Sequence, residues 1–131
     1  MPPFVRPSKP LAESRIALVT TGGVHLAEQP RFDIDDPAGD ASYREIPADV
    51  EGLIWTHAYY RPGEASDLDS VFPLWTLRGL VFEGVVGELN RRHFSFMGAI
   101  HDTAPLIEET APEVARKLMG DAVDVVLLTP S

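Results

Sequence analysis

Four stretches of the chain are apolar enough to form buried strands. They are residues 16–21 (IALVTT), 53–57 (LIWTH), 94–100 (FSFMGAI) and 123–128 (VDVVLL). The last stretch is apolar at nearly every position, which is typical of a strand that is buried on both faces of a parallel sheet. We therefore predict that residues 123–128 form a central strand and that the other three strands lie in the same sheet.

Two helices are predicted between these strands. After Pro73, which suits a first helical turn with Asp69 or Ser70 as its cap, apolar residues recur at helical spacing. These residues are Leu74, Leu77, Leu80, Val81 and Val85. In residues 104–120 a capping-box spacing at Thr110 and Glu113 predicts a second helix, but Pro112 excludes an undisturbed one. It is either one kinked helix from about Ala104 or a short turn followed by a helix.

The order of these elements, β–loop–β–α–β–α–β, predicts an α/β fold with right-handed crossovers. We expect a small three-layer domain with a mostly parallel sheet of about four strands and flanking helices. Residues 1–13 are interpreted as a proline-rich N-terminal arm, and residues 14–131 as a single α/β domain. The acidic segment 28–52 lacks any periodicity and is predicted to be an ordered loop, with turns at Asp36-Pro37 and Gly39-Asp40. Its expected anchors are Phe32, Ile34, Tyr43 and Ile46.

Composition narrows the classes of partner. The 131 residues carry a formal net charge of −9, so nucleic acid and anionic membrane surfaces are not expected as partners. The chain has no cysteine, and its proline-rich start does not have the pattern of a signal peptide. No apolar run approaches the ~20 residues of a membrane span. We expect a cytoplasmic protein.

No metal site is expected. The four histidines form no HxH or HExxH pattern, although a site of His25, His57, Asp67 and Asp69 is conceivable. The acidic loop fails as a calcium loop because Pro37 and Ala38 occupy a ligand position and the glycine position. His93 is expected at the surface, just before a strand.

Polar residues follow several of the predicted strands. Thr20, Thr21, Gly22 and Gly23 with His25 follow the first strand, His57 ends the second, and Thr129 with Pro130 follows the last. In open α/β sheets ligands bind at the carboxyl ends of the strands, so we expect these groups to converge there. The threonines and glycine-turn amides either hold an anion or form a tight turn only. Composition and spacing alone give no complete catalytic set.

Six segments in register resemble one known family. The segments ALVTTGGVHL, GDASYREIP, DLDSVFPLWTLRGLVFEGVVGEL, FSFMG, ETAPEVARKL and DAVDVVLLTP are similar to the selenoprotein B family of glycine, sarcosine, betaine and D-proline reductases. The short, D-proline-reductase-like members are the most similar. The sequence departs from the family's pattern near Tyr59 and Arg61 and at Ser70, so the resemblance does not fix the substrate.

The resemblance implies a redox enzyme. In the family a selenocysteine or cysteine follows the strand that matches VVLLTP, and a further cysteine lies shortly after it. We therefore expect that a UGA codon was read as a stop and that the native chain continues past Ser131; a genuine stop in a decayed paralogue is the alternative. The implied reaction is reductive C–N bond cleavage of a glycine-, betaine- or proline-like amine. A partner subunit with a pyruvoyl group, other reductase subunits and a thiol reductant are implied as well.

The resemblance implies that the nucleophile lies outside residues 1–131. We therefore expect the 131-residue chain to be inactive. His57 is expected to support catalysis. The expected substrate-binding residues are Thr20, Thr21, Gly22, Gly23, His25, Arg44, Glu45, Thr129 and Pro130, and for Arg44 and Glu45 a solvated surface pair is the alternative. Two function classes stay open: a selenoprotein-B-type oxidoreductase or reductase subunit, and a non-catalytic α/β binding or subunit-interaction module.

Overall fold

The structure is a computed structural model, and it describes residues 5–55, 58–60 and 66–130. Within these residues the elements are β1 (Arg15–Thr20), β2 (Val24–His25), β3 (Tyr43–Pro47), β4 (Leu53–Trp55), β5 (Ala58–Tyr60), α1 (Ser66–Val71), α2 (Leu74–Phe82), β6 (Glu88–Leu89), β7 (Arg92–Phe96), α3 (Ala111–Gly120) and β8 (Val125–Thr129). A π-helical turn, Leu106–Thr110, leads directly into α3.

Strand β1 lies at the centre of the main sheet. It pairs in parallel with β8 on one side and with β6 and β7 on the other, and β3 closes the far edge antiparallel to β7. The predicted α/β class with a mostly parallel sheet and flanking helices is therefore confirmed. The strand β3 was not predicted, because its short YREIP pattern lies inside an acidic loop and ends in a proline.

The second predicted strand is not part of this sheet. Strand β4 pairs antiparallel with β2 and β5 in a separate three-stranded sheet. The expectation that this predicted strand lies beside the parallel strands was therefore wrong for its described part, Leu53–Trp55. The apolar pattern of Leu53 and Ile54 fits either sheet. The pattern of a strand indicates that it is buried, but it does not indicate which strand it pairs with.

The prediction of a central, fully buried last strand was also wrong. Strand β8 pairs with β1 alone among the described residues and forms an edge of the sheet. Its side chains are substantially exposed: 37% for Val126, 40% for Leu127 and 69% for Leu128. A continuous apolar run normally indicates cover on both faces, and here that cover is absent from the described part of the chain.

Two apolar clusters hold the layers together. One lies on the face of the sheet that α1 and α2 cover, and its members include Ile16, Leu18, Leu68, Phe72, Leu74 and Leu77. The other lies under α3 and consists of Phe94, Phe96 and Val114 with Val19, Tyr43, Leu106 and Leu118 at its margin. The fully buried apolar side chains contribute roughly 1.5–3 kcal/mol each by area bookkeeping, which is an upper estimate.

The helices follow the sequence signals in part. Helix α2 starts directly after Pro73, and Asp69 accepts hydrogen bonds from the amide and the hydroxyl of Thr76 in its first turn. The helical segment before and through α3 is continuous but widened at Leu106–Thr110. This agrees with Pro112, which cannot donate the usual backbone bond. The capping box does not form, because Thr110 has helical backbone angles and makes no side-chain cap bond.

His93 is buried within β7 rather than at the surface. The strand that pairs with β1 is interrupted between Leu89 and Arg92, so the Leu18 amide lies between the two paired stretches. That amide donates instead to Nδ1 of His93, at 2.8 Å. Burial lowers the pKa of His93 to about 4. The sequence-based expectation failed because Arg91 and Arg92 made the segment look solvent-exposed.

We predict that His93 makes stability depend on pH. Its pKa is about 4 in the folded state and about 6.5 in the unfolded state, so between these values the unfolded state binds more protons. The free energy of unfolding should therefore fall as the pH is lowered from about 6.5 towards 4, at up to about 1.4 kcal/mol per pH unit. Urea titrations at several pH values measure this slope.

The matched variants are His93→Asn and His101→Asn. The amide oxygen of asparagine reaches the position of Nδ1 and can accept the Leu18 amide, but it does not titrate. His93→Asn should flatten the slope between pH 4.5 and 6.5, whereas the exposed His101→Asn should keep it. An equal slope in His93→Asn and in the unsubstituted protein would contradict this role.

Candidate functional site

The segment Thr20-Thr21-Gly22-Gly23 ends the central strand and meets the end of β8. Thr20 pairs with Thr129 across the parallel ladder, and the Thr21 amide donates to the Thr129 carbonyl at 3.1 Å. The expected convergence of these two strand ends is therefore present. His57 lies outside the described residues.

The amides of this turn are bonded within the protein. The Gly22 amide donates to the Thr20 hydroxyl at 3.0 Å, and the Gly23 amide donates to the Phe96 carbonyl at 2.9 Å. Together with the Thr21 amide, all three donors are engaged. The geometry thus favours the tight-turn interpretation over an anion site made of turn amides.

Both glycines are required by their surroundings. A Cβ atom added to Gly22 would lie 2.1 Å from Cγ1 of Val71 at the end of α1. Gly23 has a φ of +68°, and its added Cβ would lie 2.5 Å from the sulfur of Met97. The turn is therefore pressed between α1 and the residue that follows β7.

A cleft opens beside Gly23, with a volume of about 180 Å³. Its lining residues are Gly23, His25, Arg31, Phe32, Asp33, Ile34, Asp35 and Met97. The acidic segment folds back over the carboxyl edge of the sheet and supplies five of them. The sequence predicted an ordered loop but not that it covers the site. Of its expected anchors Phe32 and Ile46 are buried, whereas Ile34 is 51% exposed, so the prediction of Ile34 as an anchor was wrong.

His25 is buried at the inner wall of this cleft. Its Nδ1 lies 2.6 Å from the Leu26 carbonyl, and its ring meets that of Phe32 edge-on at 6.3 Å. A carbonyl only accepts, so Nδ1 carries the proton and the neutral ring has its lone pair on Nε2. No other residue that lines this cleft is a histidine.

Arg44 holds the acidic loop in place. Its guanidinium donates to the carbonyls of Pro30 and Arg31, at 3.0 and 3.2 Å, and lies 4.2 Å from the centre of the Phe32 ring. A planar cation with several donors suits this task. Arg44 therefore positions the wall of the cleft through its contacts with the loop.

Glu45 lies in a different environment from Arg44. Its carboxylate accepts from Arg92 at 3.0 Å and from Lys117 of α3 at 2.8 Å, and the bond to Glu45 raises the pKa of Lys117. Neighbouring residues of a strand point to opposite faces. Both residues were expected to contact the substrate, and the structure places their side chains in different surroundings.

The remaining loop contacts fix the rim. Gly39, with a φ of +88°, packs against the backbone of Ile100, and the Asp102 amide donates to the Ala38 carbonyl at 2.8 Å. Burial opposes ionisation of Asp40, but bonds from Ser42 and from the Asp33 amide lower the pKa of its carboxyl. The loop is thus an ordered rim with a turn at Asp36–Gly39, close to where the sequence predicted it.

The described residues contain neither a metal cluster nor a membrane-spanning helix. Among the described residues no group of three or more acidic or histidine side chains is placed to hold a metal ion. In the same part of the chain no helix has the length and apolarity to cross a membrane.

These features define the class of the protein: an α/β domain with a cleft at the carboxyl edge of a mostly parallel sheet. Residues 2–131 match the glycine/sarcosine/betaine reductase selenoprotein B family, and the chain belongs to that family.

Curated relatives match nearly the whole chain. It is 39% identical over 132 residues to D-proline reductase subunit gamma of Acetoanaerobium sticklandii, covering 98% of this chain and 53% of that protein. It is 33% identical to glycine reductase complex component B subunit gamma of Peptoclostridium litorale, covering 91% of this chain and 28% of that protein. The chain thus spans about half the length of the first relative and less of the second. No solved structure matches it significantly.

We predict that Gly22→Ala destabilises the fold. The added methyl group would overlap Val71, and overpacking of this kind costs about 1–3 kcal/mol. Combining Gly22→Ala with Val71→Ala should recover part of this loss, since it removes the atom at 2.1 Å. Urea unfolding of the single and double variants measures the coupling.

Gly79→Ala is the matched control. Gly79 lies inside α2, and an added Cβ meets nothing within 4 Å, so this variant should gain about 0.5–1 kcal/mol. If Gly22→Ala were as stable as Gly79→Ala, the packing of the turn against α1 would not constrain this position.

Proposed function

We propose that this chain is the substrate-side half of a selenoprotein-B-type reductase subunit that cleaves the C–N bond of a small amine or amino acid. The observation that carries the proposal is the position of the β8 exit. Thr129 lies against the Thr20–Gly23 turn, so polypeptide that follows it starts beside the turn whose Gly23 lines the cleft. In this proposal the redox residue belongs to that polypeptide, as the resemblance to the family implies.

The cleft chemistry supports a zwitterionic substrate. Asp33 and Asp35 can attract an ammonium group and Arg31 a carboxylate, and all three line the same cleft. A volume of about 180 Å³ suits a molecule of the size of glycine or proline, since a water molecule takes about 30 Å³ of liquid. In the proposal His25 is a hydrogen-bonding group of this site, with its Nδ1 held by the Leu26 carbonyl. In the proposal His57 remains a supporting residue.

The proposed chemistry needs a strong nucleophile that is ionised near neutral pH. A selenolate attacks the carbon that bears the amine; a Se–C bond forms, the C–N bond breaks, and the amine leaves with the electron pair and takes up a proton. A neighbouring thiolate then attacks selenium, and the carbon leaves with the electron pair and is protonated. The selenenyl sulfide that results is reduced by an external dithiol. A partner subunit with a pyruvoyl group is part of this proposal.

A non-catalytic subunit-interaction module is the second candidate. The exposed Val126, Leu127 and Leu128 of β8 favour it, because an uncharged apolar edge strand can pair with a strand of another chain. The codon after that of Ser131 discriminates the two. TGA followed by a cysteine-containing reading frame and an insertion hairpin supports the reductase, whereas TAA or TAG supports the module.

We predict that a cysteine added directly after Ser131 is an activated thiol. The reductase proposal requires its apparent pKa to lie below the ~8.5 of free cysteine, since the converging loops must favour the anion. The rate of iodoacetamide alkylation as a function of pH measures this pKa. The 131 residues contain no cysteine, so in this variant the added residue is the sole thiol.

Val5→Cys provides the control. Val5 is 93% exposed in the N-terminal arm, and a thiol there should titrate as free cysteine does. An added thiol after Ser131 that titrates at or above the control would remove the physical support for the reductase.

A further inference from the structure

The hydroxyl group of Thr20 connects three separate segments of the chain. The side chain is fully buried, and its Oγ1 lies 3.0 Å from the Val71 carbonyl and 3.1 Å from the Thr129 carbonyl. The same oxygen accepts the Gly22 amide at 3.0 Å. The end of α1, the end of β8 and the glycine turn therefore meet at one atom.

A hydroxyl group fits this junction because it both donates and accepts. Its single hydrogen can be shared between the two carbonyl oxygens, and a lone pair receives the amide. Valine has the same shape but would leave these buried polar groups without their partner, which is costly. Serine would keep the hydroxyl and lose only a methyl group.

The end of β8 has few other supports. It is an edge strand that is paired with β1 alone among the described residues, and Leu128 is mostly exposed. The Thr129 carbonyl is held by the Thr21 amide and the Thr20 hydroxyl. Without these bonds an edge strand opens from its end.

We propose that Thr20 is a positioning residue that fixes the direction in which the polypeptide leaves β8. This inference rests on the proposed function, which puts the reacting group in that polypeptide. In this role Thr20 does not contact the substrate. It holds the Thr129 carbonyl against α1 and the glycine turn, so that the next residues start from one defined place beside the cleft.

The test uses a reporter at the β8 exit. Pro130→Cys introduces the sole thiol of the chain at an exposed position, and a nitroxide attached there reports local mobility by its spectral line shape. Adding Thr20→Val should shift the label to a more mobile spectrum. Exchange of the Thr21 amide with solvent should accelerate by about tenfold, the effect of losing one hydrogen bond.

Two matched variants separate positioning from general stability. Thr20→Ser keeps the hydroxyl and should restore both the label spectrum and the protection of the Thr21 amide. Thr103→Val removes a threonine hydroxyl at an exposed position and should change neither. If Thr20→Val does not fold, Thr20→Ala takes its place.

Several results would overturn the proposal. One is an unchanged label spectrum in Thr20→Val; another is a Thr20→Ser variant that behaves like Thr20→Val. In the protein with Pro130→Cys alone, the Thr21 amide must also be protected to a similar degree as that of Gly23, which bonds to Phe96. An unprotected Thr21 amide would show that the junction is open. Neither readout depends on redox chemistry, so the reductase proposal and this one fail separately.

Discussion

The fold depends on the need of β1 to satisfy its backbone groups while it is buried. Ile16, Ala17 and Leu18 are almost inaccessible to water, so the amides and carbonyls on both sides of this strand require partners within the protein. Strand β8 supplies them along one side in an unbroken parallel register. On the other side the partner is broken into β6 and β7, and the ring of His93 fills the gap. A titratable side chain thus replaces one bond of the sheet.

This central strand also organises the site. Thr20 is its last residue, and its hydroxyl, with the Thr21 amide, joins the ends of β8 and α1 to the glycine turn. The acidic loop is then folded over the same edge by Arg44, which binds its carbonyls and packs on Phe32. The cleft therefore has an inner wall that belongs to the sheet and an outer wall, the acidic loop, that Arg44 helps to hold against it. Charged side chains of both signs line this cleft.

The exposed edge of β8 is unusual for a strand of an α/β sheet. Among the described residues β8 pairs on one side only, and its three neighbouring apolar side chains are partly exposed, without the charges or bulges within the strand that usually protect an edge. The D-proline reductase relative carries nearly as much sequence again outside the matched part. The relatives are named as subunits of reductases.

The sequence by itself determined the α/β class, the positions of β1, β7, β8 and α2, and the meeting of Thr20–Gly23 with Thr129. These features follow from local periodicity and from the rule that parallel strands share their carboxyl edge. Only the tertiary structure decided that β4 lies in a second sheet, that β8 is an edge and that His93 is buried. It also decided that the side chains of Arg44 and Glu45 bind different partners. The reason is that each of these outcomes depends on distant partners: Leu18 and His93 are 75 positions apart, and Thr20 and Thr129 are 109 apart. A local sequence pattern indicates that a side chain is buried or hydrogen-bonded. Which distant residue it contacts depends on how the whole chain packs.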